Sequence, residues 1–278
     1  MNANYDPHIN LPIKGKLTLI FAFSFLIAIL MTVASVAGLR YRGLIYPTDE
    51  LIRGFVPNDV VNLLIGLPIL LGSMWLAWRG KLIGLLCWMG ALFFVSYNYI
   101  AYVFAMPLNW AFLLHLVLVV LSVYTLIGLI ANIDGNLVQQ KLSGAVPEKF
   151  AGGVLAGLGL LFLLRVIGVL VNALSNGTFL AKPELAVNIT DFLTIPAWVI
   201  GGILLWRRKA LGYVTGLGLL FQGSMLFIAL IVFLLLQPIL TGAPFAIIDV
   251  IVTFVMGLIC FIPFTLFVRG VVSTGEHK

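Results

Sequence analysis

Charge is scarce in this chain: 9% of its 278 residues are charged, while 62% are hydrophobic. Soluble domains carry about 25% charged residues, so the chain reads as one whose solvent is lipid. Cysteine is scarcer still. Cys87 and Cys260 have no histidines beside them, which leaves neither a metal ligand set nor a disulfide framework, and both read as small core residues. The motifs of several function classes are also missing. There is no glycine-rich phosphate loop, no His-Glu-x-x-His, no Gly-x-Ser-x-Gly and no ladder of arginines. This sets aside P-loop nucleotide hydrolysis, zinc proteolysis, α/β-hydrolase chemistry and voltage sensing. No lysine falls at mid-membrane depth, which excludes a retinal-type Schiff base. Nothing in the sequence names a cofactor.

What the chain does have is eight apolar stretches, near 16–39, 58–78, 82–105, 108–132, 149–174, 190–206, 210–237 and 244–271. Each is of a length that crosses a hydrocarbon core of ~30 Å as a helix. The expected fold is an all-α polytopic membrane protein. A repeat runs through it: Trp78-Arg79-Gly80-Lys81-Leu82-Ile83-Gly84 recurs as Trp206-Arg207-Arg208-Lys209-Ala210-Leu211-Gly212, and Pro68 answers Pro196 at the same offset. Further along, Leu-Leu-His115-Leu-Val reappears as Ile-Ile-Asp249-Val-Ile. The expected organisation is therefore two tandem four-helix repeats, 1–133 and 149–278, joined by a linker at 134–148. An even number of spans per unit gives both copies one orientation, related by an axis along the membrane normal.

Lys14, Lys16, Arg79, Lys81, Lys141, Lys149, Arg207, Arg208, Lys209, Arg269 and Lys278 collect on one side of these spans, against Arg40, Arg42, Arg53 and Lys182 on the other. The positive-inside bias makes the first side cytoplasmic, with both termini inside a cell (inner) membrane. These anchoring charges account for the pI of about 9.4, so no nucleic-acid partner is inferred. Contact with anionic lipid is the alternative use of the same residues. The N-terminal run, ending in Ser35-Val36-Ala37, imitates a signal peptide. It is too long for an h-region, is followed by Arg40, and is needed as the first member of the repeat, so it reads as an uncleaved anchor.

Gly153-x-x-x-Gly157 and Gly212-x-x-x-Gly216 have the small-residue spacing of close helix contacts, either internal or to a second copy or another membrane subunit. Trp78, Trp110, Trp206 and the tyrosines of the third span suit interfacial aromatic belts.

Ionisable groups at membrane depth cost about 2.5–3.5 kcal/mol or more when unpaired, so they face a bundle interior and have partners. Asp59, His115, Arg165, Asp191 and Asp249 form such a set in the outer half, with Tyr97 and Asn98 in the same layer. Asp59 and Asp191 are placed at helix starts, where they serve either as caps or as ligand contacts. The alignment of His115 with Asp249 suggests either an acid/base pair or half of a cation site, as against a hydrogen-bonded core histidine. Arg165 has no counterpart in the first unit. It needs Asp191 or Asp249 as a partner, or a bound anion.

Three functions fit. The first is a permease-like transporter with an outward-opening polar pocket for a small polar or ionic ligand. The second is a non-catalytic subunit or assembly factor of a membrane complex. The third is a membrane-embedded enzyme using a His/Asp/Arg site on a lipid or periplasmic substrate. No metal site is expected.

Overall fold

The computed structural model describes residues 11–276. Its α-helices are α1 (Thr18–Arg40), α2 (Arg42–Ile45), α3 (Asp49–Val61), α4 (Leu67–Trp78), α5 (Leu82–Ala105), α6 (Trp110–Asn132), α7 (Gly135–Leu142), α8 (Glu148–Asn176), α9 (Lys182–Thr194), α10 (Pro196–Trp206), α11 (Ala210–Thr241) and α12 (Ile247–Glu276). A π-helical turn, Asn62–Gly66, carries α3 into α4, and α9 passes into α10 at Ile195. Each pair is therefore one span, which gives eight helices long and apolar enough to cross a membrane among the described residues. The protein is all-helical, and its architecture fits a multi-pass integral membrane protein. Lys278, counted above with the basic side, lies outside the described residues.

Two span boundaries differ from the sequence expectation. The second span begins at Asp49, capped by the Thr48 hydroxyl, and the sixth at Lys182. Asp59 and Asp191 are therefore not caps, and each stands about three turns inside its helix. Pro57 suggested a helix start, yet it lies within α3. Proline leaves the carbonyl of residue i−4 without its helical donor, and that carbonyl, of Arg53, accepts instead from Gln237 Nε2 of α11 at 3.1 Å.

The spans before α7 form one bundle, with α1 against α3, α4 and α6, and α5 against α4 and α6. The spans after it form another, with α8 against α10 and α12, and α11 against the same two. The bundles meet along α5 and α11. A Cβ at Gly90 of α5 would overlap the Gly218 carbonyl oxygen of α11, and one at Gly218 would lie 2.9 Å from the Leu86 carbonyl oxygen. Only glycine permits so close a backbone approach. Because α5 is central, 78% of its spanning window is buried, against 22% for α8 and for α12. The third-span tyrosines Tyr99 and Tyr102 are accordingly core residues, not part of an aromatic belt, whereas Trp78, Trp110 and Trp206 are half exposed.

The linker is ordered, with α7 capped by Asp134 and burying Val138 and Leu142. Gln139 Nε2 donates to the Arg208 carbonyl at 2.9 Å. The turns at the two Trp-Arg motifs match closely. Gly80 and Arg208 both take positive φ, 73° and 54°, and Lys81 N–H and Lys209 N–H close onto Leu76 and Leu204 at 3.0 and 2.9 Å. A left-handed arginine costs about 1–2 kcal/mol. The Gln139 bond and a 3.9 Å approach of the Arg208 guanidinium to Glu148 help to hold it there.

Of the two small-residue motifs, one makes the internal contact and the other makes none within the chain. Gly212 and Gly216 pack on Leu205, but a Cβ at Gly153 or Gly157 would meet nothing. On α8 it is Gly152 that approaches α10, at Gly202. Helix α8 therefore turns its Gly152 edge inward and leaves the Gly153 edge free.

Candidate functional site

Two carboxylate centres lie in the half of the bundle away from the two Trp-Arg turns, both served by α5. In the first, Asp59 accepts from the Tyr46 hydroxyl at 2.6 Å and from the Tyr102 hydroxyl at 2.8 Å. Asn62 Nδ2 donates to the Tyr102 oxygen at 3.4 Å. All four residues are buried. Burial, and next the neighbouring Asp59 carboxylate, hold the Tyr46 hydroxyl well above its ordinary pKa, so it stays protonated and donates. The Tyr102 ring lies 4.6 Å from that of Phe55, 5.3 Å from Tyr99 and 4.7 Å from His115, between ring centroids. His115 Nδ1 and Asn62 Oδ1 are buried without a hydrogen-bond partner. Gly38 of α1 makes room for the centre, since a Cβ there would overlap Asp59 Oδ2.

The second centre joins the two bundles. The Tyr97 hydroxyl of α5 donates to Asp191 Oδ1 of α9 at 2.7 Å. On the other side, Arg165 Nη1 of α8 stands 3.9 Å from Asp191 Oδ2, with the arginine side chain 55% exposed and the aspartate side chain 11%. This is Coulombic proximity rather than a bidentate hydrogen-bonded pair, so most of the guanidinium donors are unused. One turn away, Asn188 Oδ1 is also buried without a partner.

The predicted residues thus divide. Tyr97, Arg165 and Asp191 come together, while Asp59 and His115 belong to the first centre. Asn98 accepts from Asn58 Nδ2 at 3.3 Å and donates to the Phe94 carbonyl, a clamp between α3 and α5. Asp249 is apart from all of them, exposed in the first turn of α12, with no hydrogen bond or ion pair among the described residues. The expected apposition of His115 and Asp249 does not occur. Helix α6 packs on α1 and α5, while α12 packs on α11 and α8, so the two helices have different neighbours and do not bring His115 and Asp249 together.

Tyr46 and Gly38 were missed. Tyr46 reads in sequence as part of a Pro-Thr-acid turn, and nothing in a single sequence marks Gly38 as facing a carboxylate. Among the described residues no three of His, Cys, Asp and Glu gather in a way that could hold a metal ion.

Two cavities open between the bundles, one of about 270 Å³ between α5, α6, α10 and α11 and one of about 540 Å³ between α4, α5, α11 and α12. Neither is lined by a residue of the expected outward-opening pocket. Leu76, Ile83 and Phe221 line the larger, and Leu204, Leu211 and Phe93, each 128 positions away, line the smaller. Comparison with protein-family models, curated proteins and solved structures finds no match.

Proposed function

We propose that this protein is a permease-like membrane protein of two tandem four-helix units that binds a small polar or ionic solute at their outer interface. The observation that carries the reading is the Tyr97–Asp191–Arg165 centre. One bundle supplies the hydroxyl, the other supplies both charges, and the guanidinium, 55% exposed, keeps unused donors. An anionic group fits those donors, and a hydrogen-bonding group of the same solute fits Asn188 Oδ1. The matching Trp-Arg turns and the Gly90–Gly218 crossing support the repeat, with the pseudo-axis between α5 and α11.

A second reading, a subunit or assembly factor of a membrane complex, draws on the same arginine. Helix α8 is little buried, and a partner helix carrying a carboxylate would satisfy Arg165 equally well. The embedded-enzyme reading has less support, since His115 makes no ion pair with any described carboxylate.

Thermal unfolding of the purified protein with inorganic phosphate, bicarbonate and short-chain carboxylates separates these readings. Under the solute reading, one of these anions raises the midpoint of the native protein, by about 2.7 kcal/mol of stabilisation at a hundredfold excess over Kd. The response disappears in Arg165→Leu and weakens in Tyr97→Phe. If no anion in the panel stabilises the native protein, or if Arg165→Leu responds as strongly, the solute site is wrong.

For orientation we propose that the Trp78 and Trp206 ends face the cytoplasm, since eleven of the sixteen basic residues belong to that side. In intact cells an impermeant thiol reagent is expected to label Asp49→Cys and to leave Asn136→Cys unlabelled. Labelling of Asn136→Cys would reverse the topology.

A further inference from the structure

The two cavities between the bundles share their apolar lining but not their charge. The larger is walled by Ile69, Leu76, Ile83, Phe221, Phe264 and Val268, with Arg269 at one end. The smaller has no charged residue in its lining. Arg269 is exposed near the end of α12, and among the described residues it makes no ion pair or hydrogen bond. Its neighbour Gly270 packs on the Ala145 carbonyl of the linker, which places the arginine at the basic end of the bundle, level with the Arg79 and Arg208 turns. From there the cavity runs toward mid-membrane along Phe264 and Phe221. At Gly72, which lines it, an added Cβ would meet nothing within 4 Å.

A cleft of this shape, apolar along its length with one cation at the headgroup end, is complementary to an amphiphile with a single negative charge. Water gains little from such a cleft, since it presents few polar partners. Neutral lipid has no reason to prefer this cleft to its counterpart, whereas an anionic headgroup gains from Arg269. We propose that the cavity between α4, α5, α11 and α12 is a binding site for an anionic phospholipid of the adjacent leaflet, with an acyl chain in the cleft and its phosphate on Arg269. The site is independent of the outer solute centre.

Native mass spectrometry of the detergent-purified chain with dioleoyl phosphatidylglycerol and dioleoyl phosphatidylcholine tests this. Phosphatidylglycerol should be retained about fivefold more than phosphatidylcholine, the effect of one surface cation. Arg269→Gln should abolish the preference and Arg269→Lys should keep it. Gly72→Leu, which fills the cleft without touching the charge, should lower retention of both lipids. Ile200→Trp at the matching position of the smaller cavity should change neither, and it controls for damage from a bulky side chain. Inorganic phosphate at the same concentration should not displace the lipid. Equal retention of the two lipids by the native chain would overturn the proposal. So would a preference that survives Arg269→Gln, or a loss on Ile200→Trp as large as that on Gly72→Leu.

Discussion

Replacing Asp59 with leucine is expected to lower the stability of the protein by about 3 kcal/mol, a fall of roughly 6–12 °C in thermal midpoint for a chain of this size. The carboxylate is the acceptor for two phenols, Tyr46 and Tyr102, which are 1% and 0% exposed. Without it both hydroxyls are left in an apolar interior, and each stranded donor costs about 1–3 kcal/mol. Hydrogen bonds between membrane helices average only about 0.6 kcal/mol, because groups separated within the bilayer find other partners. That discount applies to Tyr102, whose hydroxyl lies 3.5 Å from the Phe55 carbonyl, and less to Tyr46, whose one hydrogen-bond acceptor among the described residues is Asp59.

Asparagine is the informative comparison. Asp59→Asn keeps the shape and one acceptor oxygen, so one phenol continues to donate while the other must turn to accept, and the loss should be about 1 kcal/mol. Gly38→Ala should resemble Asp59→Leu, because its methyl overlaps Asp59 Oδ2 and comes within 2.5 Å of the Tyr46 hydroxyl. Midpoints in one detergent, with the helical circular-dichroism signal as a check on folding, give the ranking. If Asp59→Leu melts within about 2 °C of the native protein, the carboxylate does not brace α3 against α5.

The extent to which this arrangement could be read from sequence follows from how local each cause is. The eight spans are a matter of length and apolarity within each segment, and they emerge directly from the sequence. The starts of the second and sixth spans do not, because Pro57 marks a boundary only when its orphaned carbonyl has no other donor, and that donor is Gln237, 180 residues away by position. Arg165 signalled its own need for a carboxylate through its depth, and Asp191 was one of two candidates. Nothing local distinguished Asp191 from Asp249, since the choice depends on α9 lying beside α8 while the start of α12 is exposed. The His115–Asp249 alignment shows the opposite error. A match between two stretches of sequence implies proximity only where the helices that carry them pack together. Gly90 on α5 and Gly218 on α11 meet that condition, and His115 on α6 and Asp249 on α12 do not.

That pair of glycines yields the last expectation. Although Gly90 and Gly218 sit at matching positions of α5 and α11, alanine at the two should not cost the same. A methyl at Gly90 overlaps the Gly218 carbonyl, a backbone atom with no rotamer to escape into, so the helices must separate by about an ångström along their contact. The methyl at Gly218 also faces backbone, but at longer range, 2.9 Å from the Leu86 carbonyl oxygen and 3.2 Å from the Gly90 nitrogen, which smaller shifts relieve. Overpacking costs about 1–3 kcal/mol, so Gly90→Ala should sit near the top of that range and Gly218→Ala near the bottom. Gly72→Ala, with open space around its Cβ, should be neutral. Separating α5 from α11 at this crossing should also strain the one side-chain bond that links α5 to α9, Tyr97 to Asp191 at 2.7 Å. A double-mutant cycle between Gly90→Ala and Tyr97→Phe should therefore show coupling of at least 0.5 kcal/mol. The coupling should appear as a Tyr97→Phe loss that shrinks in the Gly90→Ala background. Strict additivity would mean that the crossing and the Tyr97–Asp191 centre are mechanically independent. A solute bound at Tyr97, Asp191 and Arg165 would then have no route through that bond by which to sense the packing of the two bundles at their glycine contact.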